Sequence, residues 1–110
     1  MALFITGMKC PICARPIERG EDRMAFPNFL RGTHSLSPLS DACVHVGCFE
    51  HWGHREVFQR LLDMVQAISE QSKQIRDPEE RLAWLRPRWR SFAEEAAASD
   101  PGWRRPHSSR

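Results

Sequence analysis

Beyond Cys48 the chain has no cysteine, although its first half holds four. Metal or disulfide chemistry built on cysteine is therefore confined to the amino-terminal half. Lysine is scarce too: Lys9 and Lys73 stand alone, so nearly all of the 16 basic residues are arginine. No apolar run approaches the roughly 20 residues of a membrane-spanning helix, so none is expected. The net charge of +2 on 110 residues is too small to mark a nucleic-acid partner by itself. No internal repeat is visible. Met1–Thr6 is apolar but carries no basic leader and is too short for the core of a secretory signal. Its β-branched and aromatic residues read as a short strand. Thiols in a chain without an export signal suit a reducing compartment, where they serve metals rather than disulfides, so a cytoplasmic location is expected.

What is present falls into two textures. Up to Cys48 the chain holds four of the six glycines and four of the eight prolines, with Ser35, Ser37, Ser40 and Asn28 among its turn formers and short apolar runs at Met24–Phe26 and Cys43–Val46 that read as strands. Such a segment is poor in core, and packing alone would order it only marginally. After Cys48, Trp52, Phe58, Leu61, Leu62, Val65 and Ile68 recur mostly at helical intervals, predicting a long helix over 49–75. A second helix is predicted over 77–99. Asp77 is placed to cap it, Pro78 suits its first position, and Glu80 completes a capping-box-like start. Leu82, Leu85, Trp89, Phe92 and Ala96 form its apolar face. Pro87 removes a backbone donor there, predicting a kink or a division into two short helices. The expectation is one α+β domain over 1–99 and a flexible basic tail over 100–110.

Four residues carry the strongest signal. Cys10-Pro-Ile-Cys13 and His45-Val-Gly-Cys48 are two short-bite ligand pairs with the spacing of a tetrahedral zinc site, with Zn–S about 2.3 Å. Cys48 would fall in the first turn of the long helix, whose amino end favours a thiolate. A knuckle, a short β-hairpin and a helix bearing the last ligands make a treble clef. Four protein ligands close the coordination sphere, so one structural zinc is expected. Cys43, His51 and His54 are rivals, and Cys10, Cys13, Cys48 and His51 is a conceivable set. His45 is preferred over His51 because it and Cys48 flank the strand-to-helix junction. Cys43 reads as a small buried apolar residue. Asp41 is placed either to accept from the second ring nitrogen of His45 or to form a turn.

These motifs resemble the first zinc half-site of RING and LIM-type domains. In RING domains an HxxC pair is followed after three residues by tryptophan, as Cys48 is by Trp52. Arg15-Pro-Ile-Glu-Arg-Gly-Glu21, Ala25-Phe-Pro27 and Ser40-Asp-Ala42 are similar to segments of small stand-alone bacterial zinc-finger proteins. The resemblance spans about residues 8–55. A RING also needs a second zinc site. Ser40, Asp41 and Ala42 stand where its upstream pair would be, and no downstream CxxC exists. Ubiquitin-ligase activity is therefore not implied.

Catalysis finds little support. A Cys43–His nucleophile pair is lost if His45 binds metal, and Asn28, His34 and His54 lack the order of an HNH nuclease site. The expected function is a non-enzymatic protein-interaction module, of a size that suits a bacterial regulator or an antitoxin- or immunity-like inhibitor. Partner-binding candidates are Trp84, Arg86, Arg88, Arg90, Trp103, Arg104 and Arg105, since Trp and Arg dominate binding hot spots. The alternative is nucleic-acid binding, because arginine interleaved with tryptophan can contact phosphates and stack on bases.

Overall fold

A computed structural model describes residues 4–106. It is α+β: two antiparallel strands, a single 3₁₀ turn and three helices. β1 (Arg23–Ala25) pairs with β2 (Cys43–His45) in the register Arg23 to His45 and Ala25 to Cys43. The helices are α1 (Val46–Glu50), α2 (Arg55–Ser72) and α3 (Pro78–Ala98). The chain divides into two compact units. One runs up to Arg55 and includes the segment from Pro101 onward, and the other is Glu56–Asp100.

The amino-terminal unit is better packed than its loop-rich sequence suggests. Ile17, Leu36, Leu39 and Val44 are fully buried, and Phe26 and Phe49 are nearly so, their rings 5.2 Å apart. One hydroxyl anchors part of the connection from β1 to β2. Ser40 Oγ accepts from the main-chain N–H groups of Phe29 and Leu30 at 2.7 and 3.1 Å. It lies 3.1 Å from Asn28 Oδ1, to which it can donate. The 3₁₀ turn Ser37–Leu39 then buries Leu39.

Phe4–Thr6 is not a strand. The guanidinium of Arg23 lies 3.9 Å from the Phe4 ring centroid, and the chain turns at Thr6 and Gly7. Gly7 sits at φ +93°, a left-handed conformation that a side chain would strain. The rest of the expected strand, 1–3, lies outside the described residues.

The predicted long helix is also broken. Residues 51–54 leave the helix, so Cys48 belongs to a separate five-residue helix, and α2 begins only at Arg55. Gly53, the poorest helix former apart from proline, sits in the break. Trp52 lies in the break, its ring 6.1 Å from the Phe49 ring.

In the second unit α2 buries Phe58, Leu61, Leu62 and Val65 on one stripe, as its periodicity predicts. α3 runs antiparallel to it: Arg60 near the start of α2 bonds Glu95 near the end of α3. At the other end the Arg81 guanidinium donates to the carbonyls of Ser72 and Ile75, closing exposed acceptors at the end of α2. Pro87 lies inside one continuous α3, so the division into two helices does not occur. Only the N–H that would reach the Ala83 carbonyl is lost. Leu82 and Trp89, expected in the core, are exposed, whereas Phe92 and Ala96 are buried.

The start of α3 is as the sequence predicts. Asp77 Oδ2 accepts from the Glu80 N–H at 2.9 Å, and Pro78 opens the helix. Asp77→Ala should therefore cost about 1 kcal/mol of stability in urea unfolding. A change below about 0.3 kcal/mol, the size of an ordinary surface substitution, would mean that the cap contributes nothing.

Candidate metal centre

Backbone geometry builds the first ligand pair. Met8 and Ile17, Gly7 and Ile17, and Cys10 and Arg15 are joined by main-chain hydrogen bonds, and Lys9 bridges Pro16. This ladder closes on the turn Cys10–Ala14, where the Ala14 N–H donates to the Cys10 carbonyl at 2.7 Å and Ala14 takes φ +64°. The two thiols are thereby presented together. The second pair comes from the end of β2. His45 is the residue preceding α1, with extended backbone, and Cys48 is the third residue of that helix.

The four side chains converge. One donor atom from each of Cys10, Cys13, His45 and Cys48 lies within 4.8 Å of the others, close enough to hold one metal ion. His45 Nδ1 is 3.4 Å from Cys13 Sγ and 3.6 Å from Cys48 Sγ. The rival His51 is exposed, and its Nδ1 lies 3.0 Å from the Gly47 carbonyl outside the cluster. Cys43 is buried in β2 at 2% exposure and takes no part in the cluster.

The orienting carboxylate is Glu21, not Asp41. Glu21 Oε1 lies 3.2 Å from His45 Nε2 and also accepts from the Glu18 N–H at 2.7 Å. A proton on Nε2 directed at this carboxylate leaves the Nδ1 lone pair facing the thiols, the tautomer a metal requires. Asp41 instead occupies a turn at φ +58°, its N–H donating to the Pro27 carbonyl. The sequence left Asp41 open to either role, and the turn is the one it takes. Glu21 reaches the ring only because β1 lies beside β2, and the Glu18–Glu21 turn leads into β1. Glu21→Gln should weaken metal binding about 10- to 100-fold in a chelator competition. Unchanged affinity would show that the carboxylate has no hold on the ring.

The charge of the cluster is uneven. Burial raises the Cys13 thiol, but hydrogen bonds from the main chain and guanidinium of Arg15, then from Cys48 and His45, outweigh it and bring it down to about 7. Burial, followed by the adjoining Cys13 and Cys10, pushes Cys48 up to about 12. Without a metal, Cys13 ionises before Cys48. Cys48 stands at the amino end of a five-residue helix rather than of the long helix expected. The Glu18 N–H, then His45 and Arg15, hold the Glu21 carboxyl below its ordinary value.

Residues considered for hydrolytic chemistry lie apart from one another in local roles. His34 Nδ1 accepts from the Leu36 N–H at 3.1 Å, Asn28 bonds Ser40, and the His54 ring meets Trp52 edge-on. Trp103, placed in the expected flexible tail, packs edge-on against Trp52 at 5.2 Å. Arg105 and Pro106 flank a depression beside Lys9, Cys10 and Pro11. Trp84 lies under the guanidinium of Arg88 at 3.9 Å, so these two partner candidates are paired within α3. Arg86, Arg90, Arg104 and Arg105 are exposed.

Comparison with protein-family models, with curated proteins and with solved structures gave no match. The likeness to RING and LIM-type half-sites therefore rests on the motif residues. Among the described residues, no helix is long and apolar enough to cross a membrane.

Proposed function

We propose that Cys10, Cys13, His45 and Cys48 hold one structural zinc ion in a treble-clef-like unit, and that the protein is a non-enzymatic protein-interaction module. The convergence of three thiols and one imidazole within 4.8 Å carries the reading. Such a soft, four-ligand set suits tetrahedral zinc and leaves no position for a substrate or an activated water. The order of the elements, with β1 and β2 followed by a short helix bearing Cys48, supports the treble-clef reading. The metal would serve the fold, so function is assigned to the surface.

Leu82 and Trp89 exposed on α3 favour a protein partner over nucleic acid, because an exposed leucine adds nothing to phosphate contact or base stacking. Native mass spectrometry should find one zinc per chain. A pull-down from lysate should retain proteins whether or not nuclease is added. Retention that disappears with nuclease and falls steeply with salt would establish the nucleic-acid alternative instead.

A further inference from the structure

The apolar seam of α3 is covered at one end and open at the other. Leu82, Leu85, Trp89, Phe92 and Ala96 follow one another at alternating three- and four-residue steps, the pattern of a coiled-coil seam. Phe92 and Ala96 are buried, while Leu82 is 54% exposed and Trp89 39%.

The open half is also the cationic half. Arg81, Arg86, Arg88 and Arg90 lie there, and no acidic residue stands between Glu80 and Glu94. Arg81 is engaged with the Ser72 and Ile75 carbonyls, and Arg88 with Trp84. Arg86 and Arg90 are exposed and form no ion pair among the described residues. Arg86 occupies the position flanking the seam where helix pairs place their interhelical charges. Resting on the protein-interaction reading, we infer that the amino-terminal half of α3 docks an amphipathic helix of a partner protein, with apolar residues at three- and four-residue spacing and flanking carboxylates. Leu82 and Trp89 would enter its apolar stripe, and Arg86 and Arg90 would pair with its acids.

The test titrates the full-length, zinc-loaded protein with a synthetic helix about three heptads long, carrying leucine on the seam and glutamate on its flanks. A second helix with lysine on the flanks and an oligothymidylate strand serve as competing probes, with tryptophan fluorescence as readout. The glutamate helix should bind at least about tenfold more tightly than the lysine helix, with a blue shift from Trp89. Arg86→Glu combined with Arg90→Glu should reverse that preference, and Leu82→Ser should weaken both helices. All three positions are exposed, so circular dichroism should be unchanged in these variants. Equal affinity for the two helices, indifference to the arginine reversal, or tighter binding of the oligonucleotide lost in the same variant would overturn the docking face. In the lysate pull-down, partners retained by the reversal variant would place the interaction elsewhere on the molecule. A wild-type protein that retains no protein at all would instead overturn the module reading.

Discussion

Serine in place of Cys48, or extraction of the metal by a chelator, should abolish amide protection across the knuckle, β1, β2 and α1. The expected loss is large because apparent binding free energies of structural zinc in small finger peptides reach about 10–16 kcal/mol. Here the ion would join two segments separated by more than thirty residues, Cys10–Cys13 and His45–Cys48. The short three-residue strands between them cannot hold that closure alone. Helical circular dichroism is a poor readout, since α2 and α3 contain 18 and 21 residues and α1 only five. Hydrogen exchange resolved by segment is the right one. Cys43→Ala is the control: it removes a buried thiol outside the cluster and should keep one zinc per chain. Unchanged protection in metal-free protein would refute the staple. Loss of metal in Cys43→Ala would mean the ligand set is wrong.

Acidification should release the metal in two regimes. In the metal-free cluster Cys48 is pushed up to about 12 and Cys13 held near 7. Above pH 7 the metal must displace the Cys48 proton and that of any other protonated thiol ligand, so affinity should fall at least about tenfold for each unit of pH lost. Below pH 7 Cys13 is protonated as well, so the fall should steepen by about a further tenfold per unit. The sign is fixed by where the protons reside. They bind the metal-free form, so lowering pH stabilises that form at the expense of the complex. Competition with a chelator of known proton affinity between pH 6 and 9 measures both slopes. A flat profile would show that the thiols are not ligands.

Periodicity carried α2 because its buried residues fall on one face, and that pattern depends on neighbours three and four positions away. Capping carried the start of α3 for the same reason: Asp77 and Glu80 interact across a single turn. The pairing of β1 with β2 was visible as two short apolar runs. Leu30, Leu36 and Leu39 follow no period, so nothing local foretold that they would be buried together with Ile17 and Val44. The helix break at 51–54 was hidden because Trp52 continues the helical spacing although it lies in the break.

At the metal centre, the ligands were legible and their supports were not. A CxxC and an HxxC pair each encode a bite distance within three residues, so Cys10, Cys13, His45 and Cys48 could be named from spacing alone. Glu21 acts across the fold on the far nitrogen of His45, whereas Arg15 acts on Cys13 from two residues along the chain. Only tertiary structure chose Glu21 over Asp41.

The same division holds for the surface. Sequence alone determined that arginine and tryptophan crowd the carboxyl half, because composition needs no coordinates. Tertiary packing decided which of them are available. Trp103 turns inward against Trp52 and Trp84 lies under Arg88, whereas Leu82 and Trp89, with the full spacing of core residues, remain in solvent. Spacing defines a helical face, but burial requires another element to cover it. At the open end of α3 Leu82 stays 54% exposed and Trp89 39%.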